Sequence, residues 1–176
     1  MTEALITITA RDNPLLLRLR RLQRSGTAYR KAGELWLEGE HLCAGLIARG
    51  QVPLQALVSD SAWTRPSLRS LAQAAPRVAR VSDPLFAGVS ELSSPAGIGF
   101  VIELPPAPAL QPLAASVVLD RVQDAGNVGS ILRSAAALGF AQVLAIEGTA
   151  GLWSPKVLRA AMGAHFGLDL IEGCDA

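Results

Sequence analysis

The sequence predicts an α/β protein built in two domains, and three observations lead there. Short apolar runs alternate with helix-period patterns along the whole chain. Half of the 176 residues are hydrophobic, enough for a sizeable core. The proline-rich stretch "ELPPAPALQPLAAS", residues 103–116, breaks the alternation; its four prolines exclude a helix interior or central strand and suggest a semi-rigid linker. The expected boundaries are a first domain over 1–104, a linker over 105–113 and a second domain over 114–176.

In the first domain "ALITIT" reads as a strand. Asn13 then caps a helix with Pro14 at its first position, and Gly26 marks its end. Leu15, Leu16, Leu19 and Leu22 share one stripe of that helix, while Arg18, Arg21 and Arg24 lie on another. "ELWLEG" is a strand, "EHLCAGLIARG" a helix, and "LQALVS" and "RVARVS" are buried strands with a helix near residues 66–74 between them. A short helix starts at Pro84, and "GIGFVIEL" is the last strand before the linker. Trp36 alternates with leucines in its strand and reads as a core residue.

Past the linker come the strand "SVVLD", the helix "GSILRSAAALG", the strand "AQVLAIE", a helix capped by Ser154 with Pro155 first, and the strand "FGLDLIEG". This is a parallel βαβαβ pattern, in which ligands sit at the carboxyl ends of strands. "DAGNVGSILRSA", residues 124–135, lies at such an end. Its spacing is Gly-x-x-Gly, which is neither the dinucleotide fingerprint nor a P-loop. Gly126 and Gly129 would allow a tight turn, Asn127 or Ser130 would cap the helix, and Arg133 would reach back from the helix start toward an anion. An ordinary strand-to-helix turn with a surface arginine explains the same residues.

Net charge is only +1, yet residues 11–31 gather Arg11, Arg18, Arg20, Arg21, Arg24, Arg30 and Lys31 against Asp12. Such a stripe suits a phosphate-rich partner or a solvated helix face. No apolar run approaches a membrane span, and the N-terminus lacks the order of a signal peptide, so a soluble, cytoplasmic protein is expected. Cys43 and Cys174 form no CxxC, His41 and Cys43 face apart on a helix, and no metal site is expected. His165, beside the last apolar strand, reads as structural.

"LDRVQDAGNVGSILRSAAALGF" closely resembles the first signature motif of the SpoU/TrmH family of RNA ribose 2′-O-methyltransferases, through Asn127, Gly129, Ser130, Ile131, Leu132, Arg133, Ser134 and Ala135. "SPKVLRAAMGAHF" resembles the segment that follows it. "ITARDNPLLLRLRRL", "GELWLEGEHL" and "VSDPLFAGVSELSSPAGIGFVIEL" are similar to the family's L30e-like substrate-binding domain. The resemblance implies an L30e-like first domain followed by the N-terminal half of an α/β-knot (SPOUT) methyltransferase domain.

It further implies methyl transfer from S-adenosylmethionine to a ribose 2′-hydroxyl of tRNA or rRNA, and a homodimer at full length. Arg133 becomes the catalytic arginine and Asn127 its companion. Arginine stays protonated, so its expected role is to bind the adjacent phosphate and stabilise the developing alkoxide. Arg11, Arg18, Arg30 and Lys31 are the expected RNA contacts. The family's Gly-x-Glu and Ser-Leu-Asn motifs, which supply most of the cofactor cradle, would lie beyond Ala176. The chain is therefore expected to be a fragment or an interrupted product with poor cofactor binding. The rival expectation is a non-catalytic RNA-binding remnant.

Overall fold

The computed structural model describes residues 4–175, which divide into two units, one ending at Leu104 and the next beginning at Pro105.

The first unit opens with β1 (Ala4–Ile8) and α1 (Pro14–Arg24). The Asn13 side chain accepts a hydrogen bond from the Leu15 N–H at 2.9 Å, and Pro14 follows where its missing N–H costs nothing. Leu16, Leu19 and Leu22 are buried and Arg18, Arg21 and Arg24 exposed, as the leucine stripe predicts. A five-residue helix not foreseen from the sequence, α2 (Ala28–Ala32), comes next and closes on Gly33 at φ 65°. It is too short to display a period. There follow β2 (Glu34–Glu38), α3 (Glu40–Ile47), β3 (Gln55–Ser59), α4 (Asp60–Trp63), α5 (Pro66–Ala72), β4 (Arg77–Val81), α6 (Asp83–Ala87) and β5 (Ile98–Glu103). The four-residue α4 also escaped the sequence reading.

The sheet order is β1-β4-β3-β5-β2. β1, β4 and β3 run parallel, and β5 pairs antiparallel with both β3 and β2. Every residue of β3 is buried, so the middle of this sheet is covered on both faces. Trp36, on β2, is indeed core: its ring lies over Gly99, where a Cβ would come within 2.2 Å of Trp36 Cη2.

The second unit contains β6 (Ser116–Leu119), α7 (Ala125–Ala137), β7 (Gln142–Ile146), α8 (Pro155–Ala161), a 3-10 turn (Ala164–Gly167) and β8 (Asp169–Cys174). Its strands are parallel in the order β6-β7-β8. Two right-handed crossovers advancing in the same direction put α7 and α8 on one face of the sheet. That face buries Leu119, Val143, Ala145 and Leu170. On the other, Val118 is 58% exposed, and Leu144 and Ile171 are only half-buried. The last part of the proline-rich stretch is built into this unit. Buried Gln142 donates from Nε2 to the Gln111 carbonyl at 2.8 Å and accepts from the Gln111 N–H at 3.1 Å. Among the described residues, no helix is long and apolar enough to cross a membrane.

Candidate functional site

α7 starts earlier than its glycines suggest. Asp124 is the cap: its carboxylate accepts from the Asn127 N–H at 2.7 Å. This corrects the expectation that Asn127 or Ser130 caps the helix. Gly126 and Gly129 consequently lie inside the helix rather than in a turn. Glycine in a helix interior costs about 1 kcal/mol relative to alanine. Gly129 offsets that cost by close packing. A Cβ there would lie 2.3 Å from Ala160 Cβ and 2.7 Å from the Ala160 carbonyl carbon, so α8 touches the α7 backbone directly.

Arg133 is thus about 12 Å along the axis from the first residue of α7, rather than at the helix start. Its exposed guanidinium places Nη1 3.6 Å from Met162 Sδ. Met162 closes α8 in the left-handed region at φ 50°, a conformation unusual for a residue with a side chain, and is 62% exposed. Asn127, Ser130 and Arg133 form an exposed arc along α7.

The loops after β6 and β7 are joined at the carboxyl ends of those strands. Thr149 Oγ1 donates to the Leu119 carbonyl at 3.0 Å, and the Ala150 N–H donates to the Val122 carbonyl at 2.9 Å. Arg121 sits there at φ 52°, a position with no sequence signal. Gly148, at φ 91°, makes room for it: a Cβ at 148 would lie 3.0 Å from Arg121 Cγ. Arg121 Nε and Nη2 donate to Asp120 at 2.8 and 3.2 Å, and these bonds hold the Asp120 carboxyl below its usual pKa.

His165 belongs to the 3-10 turn ahead of β8 and is buried. Its Nε2 lies 2.7 Å from the Leu152 carbonyl, and the Leu152 N–H donates to Glu172. A carbonyl accepts only, so Nε2 carries the proton. Burial pushes the His165 pKa down to about 4, only partly opposed by the Leu152 bond. The ring is neutral near pH 7 and braces the β7–α8 loop. Cys43 is likewise inert, its thiol pushed up by burial.

Of the other basic candidates, Arg11 lies in the turn before α1 and Arg18 on α1, while Arg30 and Lys31 lie on α2. All four are exposed. Arg18 Nη1 makes an ion pair with Glu34 at 3.3 Å, and Arg30 Nε donates to the Tyr29 hydroxyl at 3.2 Å.

A parallel βαβαβ unit whose first helix exposes Asn127, Ser130 and Arg133 has an α/β fold resembling that of SPOUT methyltransferases. Residues 114–175 match the SpoU rRNA Methylase family. The chain is 35% identical over 176 residues to zebrafish (Danio rerio) "rRNA methyltransferase 3A, mitochondrial", covering 94% of this chain and 40% of that protein. It is 32% identical over 157 residues to human (Homo sapiens) "rRNA methyltransferase 3, mitochondrial", covering 82% of this chain and 36% of that protein. The fold superposes on the AdoMet-bound rRNA methyltransferase of Sinorhizobium meliloti with a TM-score of 0.82 at 21% identity, covering 96% of this chain and 65% of that one. The chain belongs to the SpoU/TrmH-type family of RNA methyltransferases. It spans less than half the length of the zebrafish and human relatives.

The expected cytoplasmic localisation is overturned, because those zebrafish and human relatives are mitochondrial proteins. The expectation rested on features the N-terminus lacks, and a missing signal specifies no compartment.

Proposed function

We propose that this chain is the RNA-facing part of an S-adenosylmethionine-dependent enzyme that methylates a ribose 2′-hydroxyl of tRNA or rRNA. The observation that carries this function is the exposed arc of Asn127, Ser130 and Arg133 on a helix locked to its neighbour at Gly129. Among the described residues the Arg133 guanidinium has only the Met162 thioether as a hydrogen-bond partner, which leaves it open to an RNA phosphate. Bound there, it stabilises negative charge that develops on the adjacent 2′-oxygen. Asn127 supplies an amide near the start of the same helix to orient the ribose. His165 is buried and neutral, and it holds the β7–α8 loop instead of moving a proton.

S-adenosylmethionine supplies an electrophilic methyl group. At the carboxyl ends of β6 and β7 the Leu119 carbonyl accepts from the Thr149 hydroxyl and the Val122 carbonyl from the Ala150 N–H. No residue of this chain is assigned to the cofactor.

The same proposal makes 1–104 an L30e-like substrate-binding domain, 105–113 a linker and 114–176 part of a knotted domain that dimerises at full length. The mixed five-stranded sheet, covered on both faces at β3, supports the first assignment. Arg11, Arg18, Arg30 and Lys31 then contact RNA phosphates. The exposed Arg18–Glu34 pair contributes no more than about 1 kcal/mol and yields to a phosphate.

Labelled S-adenosylmethionine and total RNA test the activity. Transfer to ribose is expected of the enzyme this chain is proposed to be part of, and Arg133→Ala in that enzyme should reduce it about 100-fold without loss of fold. Full activity in Arg133→Ala removes its assigned role. RNA binding without any transfer reduces the chain to an RNA-binding protein.

A further inference from the structure

The first unit contains a cleft of about 400 Å³ to which no role has been given. It lies beside the carboxyl ends of the parallel strands β3 and β4, where α/β sheets commonly receive ligands. Its volume falls among those of small-molecule sites. Gly97, at φ 76°, fixes one wall, since a Cβ there would lie 2.8 Å from Ala62 Cβ and 2.9 Å from Ser59 Oγ. Pro84, Phe86 and Pro95 give the cleft an apolar lining.

Polar groups converge on it. The Ser61 hydroxyl and N–H both donate to Asp83 Oδ1, at 2.5 and 3.3 Å, and Ser59 Oγ lies 3.2 Å from Ser61 Oγ. These serine hydroxyls, Ser61 foremost, hold the Asp83 pKa below its ordinary value, so the group is a carboxylate at neutral pH. Oδ1 carries both Ser61 bonds, and Oδ2 is the remaining acceptor. Arg65 lines the same cleft, its guanidinium 3.6 Å from Glu40 in an exposed pair.

The complementary ligand has a flat body for the apolar walls, adjacent N–H donors for the carboxylate and a neighbouring carbonyl for the guanidinium. Guanine presents that order along its Watson–Crick edge: O6, N1–H, N2–H. Adenine and cytosine place a ring acceptor beside the amino group, and uracil flanks a single N–H with two carbonyls. We propose that this cleft binds an unpaired guanine base of RNA, with Asp83 accepting from N1–H and N2–H and Arg65 donating to O6. Single-stranded RNA is commonly read in this way, by splayed bases held in pockets. The RNA origin of the guanine rests on the proposed function, whereas recognition of the base does not.

The test is titration of the isotope-labelled full chain with GMP, AMP, CMP and UMP, followed by amide NMR. The phosphate common to all four isolates the effect of the base. GMP should move the amides of 59–62 and 83–87 saturably and bind at least tenfold more tightly than the others. Asp83→Asn retains an Oδ1 to accept from Ser61 but replaces the anionic Oδ2 with a donor. It should weaken GMP at least tenfold while the melting temperature holds. Arg65→Ala, at an exposed position, should weaken GMP without disturbing the fold and is the deciding variant if Asp83→Asn unfolds. Absent shifts, equal affinity for all four nucleotides, or GMP binding unchanged in a folded variant would each overturn the proposal. Selective GMP binding in a chain that neither binds RNA nor transfers methyl groups would leave the cleft standing and remove the RNA function.

Discussion

The sheet of the first unit is covered on both faces at β3, whereas the sheet of the second is well covered on one. In the first, five strands of mixed direction leave β3 with no exposed residue. In the second, two crossovers of the same hand place both helices on one side, and Val118 faces outward. Coverage here follows from topology more than from composition: β6 is as apolar as the buried strands of the first unit. The second unit's stability is therefore concentrated in a single layer, where α7 lies on α8.

Breaking that layer should have the largest effect. Gly129→Val would drive a side chain into the Ala160 backbone, and we expect a loss of about 3 kcal/mol or more. Hydrogen exchange should show protection lost across α7 and α8 while β3 keeps its own. Unchanged protection in α7 would mean that the two helices do not depend on this contact.

Acid should act on the same unit through His165. Its folded pKa, near 4, lies below the ordinary 6.5, so between those values the unfolded chain binds a proton that the folded chain refuses. The stabilisation is complete above pH 6.5 and lost as pH falls through 4, amounting to about 3 kcal/mol. Urea denaturation at pH 7 and pH 4 measures it. His165→Gln retains a donor for the Leu152 carbonyl but does not titrate, and should flatten this part of the pH dependence.

The two sheet faces can be compared directly. Val143→Ala on the buried face should cost about 2 kcal/mol, and Val118→Ala on the open face less than about 0.5. Equal costs would show that the open face is covered in solution. The smallest expected effect concerns the cap. Asp124→Ala should cost about 1 kcal/mol in thermal or urea melts, and Asn127→Ala close to nothing.

Elements with local signals were legible in the sequence. Asn13 with Pro14 and Ser154 with Pro155 announce helix starts in two adjacent letters, and the buried strands announce themselves by unbroken apolar runs. α2 and α4 were not legible, because five and four residues cannot show a helical period. The start of α7 was misread for a different reason. Glycine is ordinarily evidence for a turn, and what explains Gly129 is Ala160, a residue on another helix. Arg121 and Met162, both at positive φ, are held by their surroundings and have no local sign. The candidate site was legible in the types and order of its residues, but the distance of Arg133 from the helix start was not.

The contact at Gly129 also alters what the signature spells. In Asn-x-Gly-Ser-x-x-Arg, the arginine letter describes charge held at the surface, whereas the glycine letter describes how near a second helix lies. A search keyed to this string thus applies two filters at once, one for chemistry and one for carpentry. A sequence that fails at the glycine while retaining the arginine has changed the spacing of its helices and kept its charge.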